Sequence, residues 1–200
     1  ACVDDSDHGP YGSDNIAPGK VIVNEVVNTA GGAAIYFTPP SDEDLLYVKA
    51  AYEDENQIDR EVIVSAVIDS LSIVGFAEQG TYPVEVIAVD RGENESIPTV
   101  VNISPLEAPI HAILNSMEGN QDFGGINISY LNPTRADVSL NMSTLDENGN
   151  LVFRESFYTS QANSSYSFRG YDPVPTTFVI YVEDRWGNQT TTRSFEITPL

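Results

Sequence analysis

The sequence predicts an all-β chain of two successive β-sandwiches with about seven strands each. Three observations carry this: the chain is written twice, its apolar side chains alternate with a period of two, and Gly, Pro, Asn and Asp cluster at regular intervals between the alternating runs. The repeat is clearest at the end of each half. Val89-Asp90-Arg91-Gly92-Glu93-Asn94 matches Glu183-Asp184-Arg185-Trp186-Gly187-Asn188 at a shift of 94, and Ile103-Ser104-Pro105-Leu106 matches Ile197-Thr198-Pro199-Leu200 at the same shift. Ser70–Phe76 matches Ser165–Tyr171 at 95, and Phe37-Thr38-Pro39-Pro40 matches Tyr130-Leu131-Asn132-Pro133 at 93. A drift of one or two residues means that loop lengths change between strands of constant length. The two repeats span 18–106 and 107–200. Pro105-Leu106-Glu107-Ala108-Pro109 joins them, and two prolines in five residues make that joint extended and stiff.

In the first repeat the expected strands are 21–26, 33–37, 45–53, 60–67, 70–74, 81–90 and 99–103. The sixth shows the logic: Tyr82, Val84, Val86 and Ala88 fall on one face of an extended segment, with Glu85 on the other. In the second repeat the expected strands are 110–117, 125–130, 137–145, 151–159, 164–168, 176–184 and 191–197, and no helix is expected. Asp146-Glu147-Asn148-Gly149-Asn150 is a hairpin turn by its Asn-Gly chemistry, with Asp54-Glu55-Asn56-Gln57 as the weaker counterpart. Seven short strands in about 90 residues, with turns at even spacing, describe a sandwich.

Composition narrows the function. The chain has 9 basic against 30 acidic residues, a net charge of −21, and is 41% apolar. Such a field repels phosphate, so nucleic acid and anionic headgroups are excluded as partners. The single Cys2 has no partner for an internal disulfide, and His8 and His111 lie far apart with no neighbouring cysteine, so neither a zinc site nor any other metal or cofactor is expected. Residues 1–17 have no hydrophobic periodicity and are expected to form a flexible acidic tether. Ala1-Cys2, a small residue ahead of a cysteine, matches the end of a bacterial lipobox, whose cysteine is acylated after leader cleavage. Cys2 is therefore the expected lipidation site and the chain's one expected link to a membrane; a simple free thiol is the alternative.

Phe37-x-x-Pro40, Tyr47-x-Lys49-x-Ala51-Tyr52, Leu71-x-x-x-Gly75 and Tyr82-x-Val84-x-Val86-x-Ala88 together resemble the pattern of fibronectin type III domains, a branch of the immunoglobulin-like sandwiches. The resemblance implies that Phe37 and Tyr130 replace the usual core tryptophan. It also implies that the Tyr82 hydroxyl bonds to backbone upstream, as in a tyrosine corner. Phe178 is expected at the corresponding place in the second repeat, where the corner is then absent or supplied differently. The acidic stretch after Cys2, with Asp42-Glu43-Asp44-Leu45-Leu46-Tyr47 and Asp184-Arg185-Trp186-Gly187-Asn188, is similar to tandem fibronectin-III-like lipoproteins of Bacteroidetes. That likeness implies a lipid-anchored, outer-membrane, surface-facing protein of a polysaccharide-utilisation system, followed in its relatives by a further C-terminal domain.

Candidate ligand contacts follow from sugar chemistry, in which aromatic faces stack on rings while amides and carboxylates take hydroxyls. Trp186 sits in the turn between the last two strands and either reaches solvent, or caps its own sandwich or packs at the joint between repeats. Tyr171 repeats Phe76, a place that also suits a core or corner residue, and Asn188 closes the Trp186 turn. Calcium at Asp146–Asn150 is disfavoured because the loop lacks a terminal acidic ligand. No nucleophile elbow, His-Asp-Ser set or phosphate loop is present, so no enzyme is expected. The function expected is glycan binding by a non-catalytic surface module. The alternative is a spacer that presents a protein partner or a further domain.

Overall fold

The computed structural model describes residues 15–200; Cys2, His8 and most of the 1–17 tether lie outside the described residues. The described chain divides into two compact units between Leu106 and Glu107.

The first unit contains β1 (Ile22–Thr29), β2 (Gly32–Thr38), β3 (Leu45–Glu53), β4 (Asp59–Ser65), β5 (Ser70–Val74), β6 (Tyr82–Asp90) and β7 (Thr99–Ile103). They form a three-stranded sheet, β1-β2-β5, and a four-stranded sheet, β4-β3-β6-β7, with antiparallel pairing throughout. Alternation decides which side chains meet between the sheets. Ile35 and Phe37 of β2, Leu71 and Ile73 of β5, Val48 and Ala50 of β3, and Val84, Val86 and Ala88 of β6 are all buried. Each large aliphatic or aromatic side chain so buried contributes about 1.5–3 kcal/mol. Tyr82 donates its hydroxyl to the Glu78 carbonyl at 3.2 Å, the corner its place implied.

The second unit opens with α1 (Pro109–Ser116), followed by β8 (Glu118–Asp122), β9 (Gly125–Leu131), β10 (Val138–Leu145), β11 (Leu151–Thr159), β12 (Asn163–Arg169), β13 (Thr176–Asp184) and β14 (Arg193–Ile197). Its sheets, β12-β9-β8 and β11-β10-β13-β14, repeat the three-on-four arrangement of the first unit. Both units are fibronectin type III-like sandwiches.

The expected strand at 110–117 is a helix. Pro109 stands at its first turn with φ already suited to the helix, and Ile110, Ile113, Leu114 and Met117 recur at the spacing of one helical face, all buried. Arg193 of β14 donates to the carbonyls of Leu114 and Asn115 at 3.0 and 2.9 Å, placing a cation on the helix C-terminus. The true first strand, β8, is the polar run Glu118-Gly119-Asn120-Gln121-Asp122, which has no alternation to betray it.

The strand pairing also corrects the place given to Phe178. Tyr82 faces Ile103 and Thr176 faces Ile197, so Thr176 takes the corner position, and its hydroxyl donates to the Val174 carbonyl at 3.0 Å. Phe178 instead matches Val84, and the cross-strand pair Tyr52/Val84 of the first unit becomes Thr144/Phe178 in the second. The ring has moved to the neighbouring strand. Phe76 stacks between Tyr52 and Tyr82 at 5.6 and 4.4 Å, whereas Tyr171 meets Phe178 edge-on at 5.0 Å.

Gly32 and Gly125 hold matching places at the start of β2 and β9. A Cβ on Gly32 would lie 2.0 Å from the Ile73 carbonyl oxygen, and one on Gly125 would lie 1.8 Å from that of Phe168. Gly125→Ala and Gly32→Ala are each expected to destabilise their own unit by about 2–3 kcal/mol, seen as an earlier urea transition of that unit. An unchanged transition would remove the close approach.

Candidate functional site

The second unit carries a groove of about 1080 Å³ on the outer face of β11-β10-β13-β14. Leu140, Met142, Ile180 and Val182 point to the core, so Ser139 and Asn141 of β10 and Tyr181 and Glu183 of β13 point outward. The register sets Tyr158 opposite Ser139, Ser156 opposite Asn141 and Phe153 opposite Ser143. Phe153 and Tyr158 are five residues apart, and strict alternation would send them to opposite faces. A bulge brings them together: Met142 pairs with Glu155 and Ser143 with Phe153, leaving Arg154 as the extra residue. The two rings are 58% and 78% exposed.

The floor is polar and ordered. Ser156 donates its hydroxyl to Asn141 Oδ1 at 2.5 Å, and Asn141 Nδ2 donates to Ser139 Oγ at 2.9 Å. Ser139 and Asn141 are buried and satisfied by these bonds, so it is the half-buried Ser156 hydroxyl, which donates inward and keeps lone pairs for accepting, that can meet a hydroxyl-rich ligand. Tyr181 and Trp186, both half-buried, also line the groove. The Arg185 guanidinium lies 4.4 Å over the Trp186 ring and 3.8 Å from the Asp137 carboxylate, an arrangement that holds the indole in place at the rim.

The three residues singled out in the sequence have different surroundings. Trp186 borders the groove. Tyr171 lies away from it, packed on Phe178 with its hydroxyl 3.7 Å from Met142 Sδ, and burial pushes its phenol up. Asn188 is buried in its turn: its N–H donates to Asp184 Oδ1 at 3.0 Å and its Nδ2 to Asp184 Oδ2 at 2.9 Å. Asp90 and Asn94 form the same staple in the first unit. Burial raises the Asp90 carboxyl, but the bonds from Asn94 outweigh it and hold it below the usual carboxylate range. Asp146 is likewise held low by the N–H and side chain of Asn150. The acidic turns are thus turn-forming groups, and among the described residues no group of three or more His, Cys, Asp or Glu gathers as metal ligands.

Sequence reasoning missed Phe153, Tyr158, Ser139, Asn141, Ser156 and Tyr181. In β11 the only local hint is an alternation that breaks phase at Arg154-Glu155.

On the matching face of the first unit the position equivalent to Asn141 is covered. Lys49 stands where Asn141 stands, and its ammonium sits 3.2 Å from Glu61 and 2.8 Å from Glu95. Those hydrogen bonds raise its pKa against the opposing effect of burial. A second, smaller groove of about 630 Å³ lies at the Asp54 end of this unit. There the fully buried Asp54 carboxylate accepts from the N–H groups of Asn56 and Ile58 and from Arg60 Nε, with Arg60 Nη2 at 2.7 Å.

Fold and surface together describe a tandem fibronectin type III-like protein with an aromatic-walled groove on the outer face of its second unit's four-stranded sheet. Residues 18–105 match the family described as domain of unknown function DUF4959, and residues 106–200 match that described as domain of unknown function DUF5126. No curated protein matches the chain. Among solved structures it is similar to a SusE-like protein at 29% identity, over 44% of this chain and 30% of the other, with a TM-score of 0.39. The match therefore spans less than a third of that protein's length. A segment of two fibronectin type III domains from chicken tenascin aligns at 13% identity over 90% of this chain and 98% of its own, with a TM-score of 0.37. A computationally redesigned β-sandwich aligns at 19% identity over 44% and 95%, with a TM-score of 0.38. No helix among the described residues is long and apolar enough to cross a membrane.

Asp54 makes stability depend on pH. Burial works to raise its pKa, but the Ile58 and Asn56 N–H groups and Arg60 together bring it below the ordinary value. A carboxyl lowered in the folded state adds stability that is complete above its unfolded pKa of about 3.9 and is lost as pH falls through the lower folded value. Between pH 6 and 2, the first unit's urea midpoint is expected to fall more steeply in the wild type than in Asp54→Asn. Parallel profiles would contradict the assignment.

Proposed function

We propose that this protein is a non-catalytic glycan-capture module of the cell surface, that the groove of its second unit is the binding site, and that a lipid chain on Cys2 tethers it to the outer membrane. The observation that carries the binding reading is the pairing of exposed aromatic faces with a hydroxyl and amide floor. A pyranose ring has apolar C–H faces and a polar perimeter. Phe153, Tyr158 and Trp186 offer π-faces for the first, and the Ser156 hydroxyl, held over the buried Ser139 and Asn141, offers an acceptor for the second. The floor residues are held by one another and lose little freedom on binding. In the first unit Lys49 and its two carboxylates close the equivalent surface, which leaves that unit the role of spacer.

The tether rests on Ala1-Cys2 and on the resemblance to bacterial lipoproteins. Intact mass of the protein recovered from membranes is expected to show acyl chains on Cys2, and an unmodified cysteine there would end that part of the proposal.

Removing one ring removes about 0.5–1.5 kcal/mol of stacking. Tyr158→Ala and Phe153→Ala are each expected to weaken binding to a polysaccharide, found by glycan array and measured by calorimetry, by roughly 2- to 10-fold at 25 °C. Trp186→Ala is expected to do the same, while Val67→Ala, exposed on the first unit, serves as the control. Equal affinities for all four would place the site elsewhere.

A further inference from the structure

The charges around the groove speak to the kind of glycan it takes. Asp137, Glu183 and Asp184 line it, with Arg185 as the one basic residue among its lining. Arg185 is already engaged: its Nη1 lies 3.8 Å from Asp137, and its guanidinium covers a face of Trp186. Arg135, exposed on the loop before β10, does not line the groove, and the other three arginines of the unit are bound away from it. Arg154 donates to Thr144 at 2.8 Å, Arg169 pairs with Asp122 at 3.0 Å, and Arg193 caps α1. Residues 107–200 contain no lysine, and 5 arginines face 11 carboxylates for a net charge of −6, within a chain of −21.

A uronate or sulfate entering this groove would meet a negative rim and lose hydration, and the one cation among the lining residues, Arg185, already faces Asp137. Discrimination by such repulsion acts against the charged ligand without weakening the uncharged one. Resting on the glycan-binding reading above, we infer that the groove is specific for uncharged glycans and rejects those carrying carboxylate or sulfate groups, with Asp137 and Glu183 as the residues that set this preference. Asp137 acts twice, through its own charge and by neutralising Arg185. Asp184 has a separate duty, because it holds the turn through Asn188.

The test uses the whole chain and two sets of polysaccharides: neutral glucans, mannans and xylans, and anionic polygalacturonate, alginate and a sulfated galactan. Affinity electrophoresis and calorimetry at low and moderate salt read both sets for the wild type and for Asp137→Asn/Glu183→Gln. The wild type is expected to bind at least one neutral polymer and to bind every anionic one at least about 10-fold more weakly. The double variant is expected to raise the ratio of anionic to neutral affinity by about 5-fold or more, most visibly at low salt, where charge is least screened. Anionic polymers bound as tightly as neutral ones by the wild type, or a ratio unmoved in the variant, would overturn the specificity and leave glycan binding standing. Binding to neither set would remove the glycan reading and this inference with it.

Discussion

Burying one side chain in two against the facing sheet is the constraint from which the rest of this protein's organisation follows. Leu71, Ile73, Val84 and Val86 in the first unit and Ile126, Ile128, Leu140 and Ile180 in the second have essentially no exposure. Substitution there is limited to exchanges that conserve volume, and the Tyr52/Val84 to Thr144/Phe178 trade is one: a ring moves across a cross-strand pair and the layer stays filled. The alternate residues are under no such demand. Two units can therefore share an interior and differ entirely on the outer face of the four-stranded sheet.

That freedom explains why the groove walled by Phe153, Tyr158 and Trp186 has no counterpart at the matching place of the first unit. At one outer position the first unit has Lys49, mostly buried between Glu61 and Glu95, whereas the second has Asn141, short and linked to two serines. A long side chain lying along the sheet covers it, while a short one leaves the flanking rings standing above a depression. The bulge at Arg154 then adds what alternation alone would have forbidden, two aromatic residues of opposite parity on one face.

The acidic character of the chain has two parts with different physics. Asp54, Asp90, Asp146 and Asp184 lie inside turns, where each carboxylate accepts backbone N–H groups that the loop would otherwise leave unsatisfied. These charges belong to the fold. Asp137 and Glu183 stand on the groove's rim and shape the field that an approaching ligand meets. The overall charge of −21 says nothing about which carboxylate belongs to which group.

Most of the architecture was legible in the sequence because its signals are local: alternation marks the strands, Asn-Gly and Asp-rich runs mark the turns, and the internal repeat with its aromatic spacing carried the fibronectin resemblance and the Tyr82 corner. The helix at Pro109–Ser116 escaped because Ile110-His111-Ala112-Ile113-Leu114 is too short an apolar stretch to tell one period from the other, and only the burial of Ile110, Ile113 and Leu114 with Arg193 at its end decides the matter. Of the groove, Trp186 alone was visible, as a lone aromatic in a turn. The rest depends on contacts between strands. Whether Phe153 and Tyr158 share a face is set by a bulge in the β10–β11 register, and how far the floor between them is recessed is set by which residue of a distant strand lies alongside. Pairing across strands is a property of the assembled sheet, so the chain's own order determined the sandwiches and the tertiary structure alone decided the site.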